Sequence, residues 1–430
     1  MKNIIQKLMM KALLLFYLSS FIVFCAARST TFLKHHVKEE KLLDKECQVL
    51  ISKDLSEPQP LILKSDDEDF LYPDSKGYLT LNEGEKLRVA CPGSRVHYKN
   101  ANISDEATLK CIEGTMFSLM SGEKLVQKKV SLRNVTCASY PSPIIREAEQ
   151  IDDNLVEYEF GFLTKNNDFY HLFNILHDLS MHYTIFAHVK IISGIKAAQK
   201  SFPRKNFKKD GFFTGIPVSN VYQIATQQET LGFLLRDNKL GEKYISGNNY
   251  LARGHLIGKA DFVYGNQQRG TFSFANCVPM WQSINGGNWK IIEGNVRNFA
   301  IQNNVDLDVW TGSLGVLTLK DVNNNDQEIF LFIDENGNVA VPVPKILFKV
   351  VYDQKNKEGV VFLTVNNPFL EKLTKDYVVC KNVCDKLDNL SWKPTVSIAG
   401  FSYCCSVDDF REVFPELPDF QTDGLLIFET

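Results

Sequence analysis

The placement of the cysteines constrains this chain more than any other feature. Cys25 falls in a leader-like start; the other nine stand as Cys47, Cys91, Cys111 and Cys137, a lone Cys277, then Cys380, Cys384, Cys404 and Cys405. The leader reading rests on order: Lys2, Lys7 and Lys11, an apolar run from Ala12 to Phe24, then the small pair Ala26-Ala27. Basic, apolar, small is the succession of a secretory signal peptide. Ser19-Ser20 interrupts the run, which falls short of the roughly 20 apolar residues that cross a bilayer. A signal peptide over 1–27 is therefore expected, with secretion and no membrane association. In an oxidising compartment each foursome most simply closes into two disulfides. The first four should pair among themselves, and Cys380 and Cys384 should pair with Cys404 and Cys405 in some order. Adjacent cysteines do not bridge each other without strain, so Cys404-Cys405 is not a pair, and Cys277 is left over. The C-terminal spacings are not those of zinc ligands. Sequons at Asn102, Asn134 and Asn389 agree with a glycosylated, secreted chain.

The two foursomes also suggest two regions. Residues 28–142 carry short alternating segments such as YLTLNEGEKLRVACPG, broken by Gly, Pro and Asn, and read as a small β-rich accessory module. The stretch SYPSPI, with Pro141 and Pro143, is the linker candidate. Residues 143–430 are long enough for a substantial core. Within them Ile329–Ile333 and Val339–Val343 flank Asn336-Gly337, a strong hairpin signal, and LFKVVYD and GVVFLTV read as further strands. Asn285–Gln302 reads as a helix entered through Gly286-Gly287. Strands and helices mix without βαβ alternation, so the fold class is α+β.

Charge narrows the binding possibilities. The formal net charge is −3, and without the three leader lysines −3 − 3 = −6. Global attraction to a polyanion is excluded, so a local basic cluster is the informative one. KAAQKSFPRKNFKKD holds Lys196, Lys200, Arg204, Lys205, Lys208 and Lys209 with no acid before Asp210. By itself it reads as a solvated strip.

Two tempting metal sites do not survive their spacing. His171, His177, His182 and His188 fall in HLFNILHDLSMHYTIFAH; on one helix the pairs sharing a face would lie about 16 Å apart along the axis, so structural histidines are expected. DVNNNDQEIF starts like a calcium loop but lacks the glycine and the closing glutamate that such a loop needs, which leaves an Asn-rich turn.

YLARGHLIGKADF, with Arg253, Gly254 and His255, is different because of the residues downstream of it. FSFANCVPMWQSINGGNWKIIEGNVRN places Asn276, then Asn285, Trp289, Glu293 and Arg297 at steps of four. Helical steps of four share a face, here with an amide, a carboxylate and a guanidinium suited to a hard cation and a phosphate. The ordinary alternative is an exposed face with a Glu293–Arg297 pair.

This R-G-H segment, with N…P…N…W…E after it, resembles the DNA/RNA non-specific endonucleases of the ββα-metal superfamily. The variant YLARGHL…KADF…NGGNW…E resembles their secreted insect members, the gut double-stranded ribonucleases and salivary endonucleases, over about Ile144–Pro418. The resemblance implies a ββα-metal core with a mainly antiparallel sheet and flanking helices. It implies a Mg²⁺-dependent enzyme, Mn²⁺ being the substitute, that cuts DNA and RNA, duplex or single-stranded. His255 would be the general base and Asn285 the single metal ligand. Glu293 would orient metal-bound water, Asn276 would hold the site and the phosphate, and Arg204 would contact phosphate as part of the catalytic set. Arg253, Arg297, Lys200, Lys205 and Lys208 would bind the backbone. Gly254 would let the chain pass close to metal or substrate. Two positions depart from the pattern: Ala252 stands where bacterial members carry Asp, and Met280 replaces a common glutamine. Met280 leaves open an alternative, a secreted nucleic-acid-binding protein with a nuclease fold and little turnover.

Overall fold

A strand apolar at nearly every position must be covered on both faces, and LFKVVYD and GVVFLTV are such strands. In the computed structural model, which describes residues 46–200, 202–387 and 390–428, they lie in the middle of a nine-stranded sheet. The leader and the sequon at Asn389 lie outside the described residues. The sheet runs, in spatial order, Ile144–Gln150, Leu155–Leu163, Phe169–Asp178, Tyr183–Ile191, Leu307–Val316, Pro344–Asp353, Glu358–Val365 and Ser402–Cys405, each antiparallel to its neighbour. Gly424–Leu425 adds a short parallel pairing to Glu358–Val365.

Alternation along these strands feeds two cores. Leu347 and Val351 face one layer with Val360, Phe362 and Cys404. Ile346, Phe348, Val350 and Tyr352 face the other with Val361, Leu363 and Cys405. That second layer is closed by Phe410 and Phe414, whose rings lie 4.9 and 4.7 Å from Phe348. Because Cys404 and Cys405 point to opposite faces, each finds a different partner: Cys384 bonds Cys404 and Cys380 bonds Cys405. Cys47–Cys111 and Cys91–Cys137 complete the expected pairing, and Cys277 is free and buried.

On the first layer sits a smaller ββα unit. Leu251–His255 pairs antiparallel with Cys277–Trp281, and the helix Lys290–Asn303 comes next. Strand pairing, helix content and this unit make the fold α+β. The Asn336-Gly337 hairpin forms between Phe330–Ile333 and Val339–Pro342, with Gly337 at φ +87°. The Asn-rich turn forms as well: Asp321 Oδ1 accepts from the amides of Asn323 and Asn325, both at 2.8 Å. The four histidines lie on or beside a strand pair rather than on a helix. His177 donates to or accepts from Thr184 Oγ1, and His188 reaches Asp308 while stacking on Trp310. His171 reaches Asn174 and His182 the Phe212 carbonyl, so each of the four has a polar partner that is not a metal.

Residues 46–137 form a five-stranded antiparallel sheet, Leu61–Lys64, Lys86–Ala90, Glu106–Glu113, Met116–Ser121 and Lys124–Ser131, with two small sheets beside it. Its apolar residues join those of the ββα layer in one continuous cluster. Polar contacts seal the junction. Arg88 pairs with Asp168 at 3.2 Å and bonds the Tyr170 hydroxyl. Asn266 donates to Gln59 O at 2.8 Å, Gln199 to Ile51 O at 3.0 Å, and Tyr264 to Leu71 O. Among the described residues no helix is long and apolar enough to cross a membrane.

Candidate active site

The ββα unit opens on a cavity of about 770 Å³. Its wall holds His255, Asn285, Glu293, Arg297, Arg253, Arg204 and Lys200, with Lys196, Lys259 and Lys290. Seven of its side chains are cationic and one, Glu293, is a carboxylate, so the cavity is strongly positive in a chain whose net charge is negative.

His255 ends the first strand of the pair, and Gln227 fixes where that strand begins: its side chain accepts from Leu251 N and donates to Leu251 O, both at 2.9 Å. The imidazole packs against Phe207 and edge-on against Phe272, at 5.0 and 5.2 Å between ring centres. Its Nε2 is buried with no hydrogen-bond partner among the described residues. Burial, and then the Arg204 guanidinium, push its pKa down from 6.5 to about 4, with Asp261 acting the other way. The ring is neutral at physiological pH and carries an unused nitrogen, the state a proton acceptor needs.

Asn285 lies just before a kink. Gly287 has φ −93° and ψ −126°, outside helical values, and a Cβ there would meet Ala399 backbone atoms at 2.8 Å. Asn288 locks the kink: its amide donates to Lys393 O and Gly400 O at 2.9 and 2.6 Å and accepts from Lys393 N at 2.8 Å. The regular face expected from steps of four is thus broken. Trp289 is fully buried under the wall, and Asn285 reaches the cavity because of the kink. Its side chain has no protein partner among the described residues.

Glu293 and Arg297, half-buried on the cavity wall, belong to a charge group that reaches beyond the sequence-predicted set. Arg297 Nη1 lies 2.5 Å from Asp261 Oδ1, and Asp261 Oδ2 accepts from Gly258 N at 2.8 Å. One carboxylate therefore ties the loop after His255 to the helix. Beneath them Lys349, 2 % exposed, donates to Thr311 Oγ1 at 2.5 Å. Burial, and then the Asp261 carboxylate, raise the Glu293 pKa from 4.5 to about 7 against the pull of Lys349, Arg297 and Lys290. Burial holds Lys349 below its ordinary value.

Other expected residues sit elsewhere. Asn276 is fully buried and away from the cavity wall; Ile257 N donates to its Oδ1 at 3.0 Å, and its amide donates to Ile257 O and Thr271 O, both at 2.9 Å. It holds the loop after His255 in place, and its amide hydrogens are spent. Arg253 reaches the cavity, but its guanidinium lies 5.2 and 5.3 Å from the Phe274 and Tyr222 ring centres and bonds Ser219 O. Lys205 and Lys208 do not line the cavity. Gly254 is required by packing rather than by metal or substrate, since a Cβ would meet Met280 at 2.7 Å. Met280 itself is fully buried behind the strand pair.

Asp261 is visible in KADF as an acid between apolar residues, and Lys349 as a lone charge at an inward position of an apolar strand. Neither can be linked to the site without the sheet register. Gln227 and Asn288 give no signal, since amides are common in loops and helix ends.

A family model for DNA/RNA non-specific endonuclease matches residues 154–410 of the 430. The chain is 28% identical over 361 residues to the salivary endonuclease of Lutzomyia longipalpis, covering 82% of this chain and 79% of that one. It is 24% identical over 392 residues to salivary protein Tsal2A of Glossina morsitans morsitans, covering 89% and 94%. A solved structure of an EndoG/EndoGI complex aligns over 45% of this chain and 71% of that one, with 17% identity and a TM-score of 0.31. On the family match over more than half its length, the chain belongs to the DNA/RNA non-specific endonuclease family.

Proposed function

We propose that the protein is a secreted, divalent-cation-dependent endonuclease that hydrolyses phosphodiester bonds of DNA and RNA, duplexes included, without reading base sequence. One observation carries the reading: a neutral imidazole with a free nitrogen shares a cationic cavity with Asn285 and Glu293. Four disulfides and the relatives' salivary names support an extracellular setting.

The donor set fits a hard cation that keeps most of its water. Asn285 offers a neutral amide oxygen and Glu293 a carboxylate on the same wall. Among the described residues no three His, Cys, Asp or Glu side chains could enclose a metal, as Zn²⁺ would require. Held there, Mg²⁺ or Mn²⁺ would supply positive charge to the phosphate and to the departing 3′ oxygen. His255 takes the proton of the attacking water as the new P–O bond forms and the bond to the 3′ oxygen breaks. A bound phosphate, being anionic, draws the His255 pKa back up toward neutrality and makes it a better base. Arg204 and Arg297 neutralise the phosphate oxygens. Lys200 and Lys290 attract the backbone, which carries no base code. Asn276 is a positioning residue for the His255 loop. Since Met280 lies behind the hairpin and outside the cavity wall, its departure from the family pattern removes no contact there, which favours turnover over binding alone.

Metal titrations of two variants test this. His255→Ala should bind duplex in a metal-dependent way while turnover falls by roughly 10²–10⁴. Asn285→Ala should need more Mg²⁺ and recover part of its activity when given it. If His255→Ala cleaves as fast as the parent, the histidine is a structural residue and the reading is wrong.

A further inference from the structure

Lys205 and Lys208 lie outside the catalytic cavity, and the place where the fold puts them is informative. The Lys208 backbone is zipped to the segment beside His255: its N–H donates to Phe272 O and its carbonyl accepts from Phe274 N, both at 2.9 Å. Lys205 is exposed, with its ammonium 5.5 Å from the ring centre of Tyr140. Arg269 lies against the same ring, its guanidinium carbon 3.5 Å from the centre, and among the described residues its buried Nε has no hydrogen-bond partner. Tyr140 itself, at the end of the N-terminal region, is 38% exposed.

This corner is continuous with the active site. Phe272 lines both the catalytic cavity and the small cleft that holds Lys208 and Arg269. Lys259, on the cavity wall, donates to Phe202 O, and the Phe202 ring lies 5.1 Å from Arg269. Two acids are near. Glu57 is felt by Arg269 and Lys205, but its oxygens accept from Gln59, and Asp210 bonds Ser273. Among the described residues neither forms an ion pair with these cations, which stay available to phosphate.

We propose that Tyr140, braced by Arg269 and flanked by Lys205 and Lys208, is a second nucleic-acid contact, on which an unpaired base of the strand leaving the catalytic cavity stacks. The inference rests on the nucleic-acid reading of the active site and adds the part of the substrate that the N-terminal region handles. An exposed aromatic ring among cations is the usual means of holding single-stranded nucleic acid without sequence preference. The Arg269 guanidinium braces the ring and would supply charge to the adjoining phosphate, while the exposed part of the ring is what a base would meet.

The experiment compares binding of a dinucleotide and of a fluorescent single strand of about 16 nucleotides, both in the His255→Ala background to prevent cleavage. Tyr140→Ala should weaken binding of the longer strand about 5- to 150-fold, the effect of one lost stacked base, and shrink the ratio of the two affinities. Tyr140→Trp should restore it, which a merely structural tyrosine would not require. An unchanged affinity ratio in Tyr140→Ala, or equal losses on both ligands, overturns the proposal while leaving the active-site reading intact. If the parent neither binds nor cleaves any nucleic acid, the active-site reading fails and takes this one with it.

Discussion

The two faces of the central sheet are built from the same strands and both bury apolar side chains, yet among the described residues only one of them carries a buried lysine. On one face Phe348, Val350 and Tyr352 meet Phe410, Phe414 and Trp310 in a layer without a buried charge. On the other, one residue along, Lys349 comes up beneath Glu293, Arg297 and Asp261. A buried ion group is weak evidence for stability, since desolvation offsets attraction, whereas a packed aromatic layer stabilises directly. The aromatic face therefore holds the fold by packing alone, whereas the other face, apolar over most of its extent, gives up some stability at one charge group to set the protonation of the proposed active-site wall.

The largest effect that could break this division is Phe348→Ala. It should cost about 3–5 kcal/mol in denaturant unfolding, while the protein that remains folded keeps its turnover. A variant that loses turnover without losing stability would mean that the faces are not separable. Lys349→Met should do the reverse. It should cost less stability than Phe348→Ala and raise the Glu293 pKa, since Lys349 pulls that pKa down. The acid limb of the pH–rate profile should then move upward by roughly one unit, about 1.4 kcal/mol. The same shift gives a sign for stability. The folded metal-free protein binds the Glu293 proton more tightly than the unfolded chain, so that contribution is full below 4.5 and is lost as pH rises to about 7. A stability that instead rises across this window would contradict the buried-carboxylate account. The smallest effect concerns the outer cations. Replacing Lys200, Lys205 and Lys208 together by Ala should make the slope of log affinity against log salt shallower by up to about 3, with sequence preference unaltered; an unchanged slope would reduce the strip to a solvated surface.

How much of this is legible in the sequence depends on how local each signal is. R-G-H, the Asn336-Gly337 turn and the cysteine partition are encoded by neighbours, and all emerge in the fold. The order of the last two disulfides is not legible, because it depends on which face of the sheet each of Cys404 and Cys405 takes. The helix starting near Asn285 is legible, but its kink is held by bonds from Asn288 to Lys393 and Gly400, far downstream. Six lysines and arginines look like one strip, yet Lys196, Lys200 and Arg204 enter the cavity while Lys205 and Lys208 run past it. Spacing along a chain does not say where an irregular segment bends.

The single lysine in the middle of an apolar strand also acts on folding itself. If Pro344–Asp353 paired one residue out of step, every side chain would change faces. Lys349 would be driven among Phe410 and Phe414 with no carboxylate to meet it, and Phe348 would lie under Glu293. Such a mispaired sheet strands a charge in hydrocarbon, at a cost of several kcal/mol. The strand that brings charge to the proposed active site thereby also resists slipping, and its alignment with the strands on either side is enforced from within the sheet.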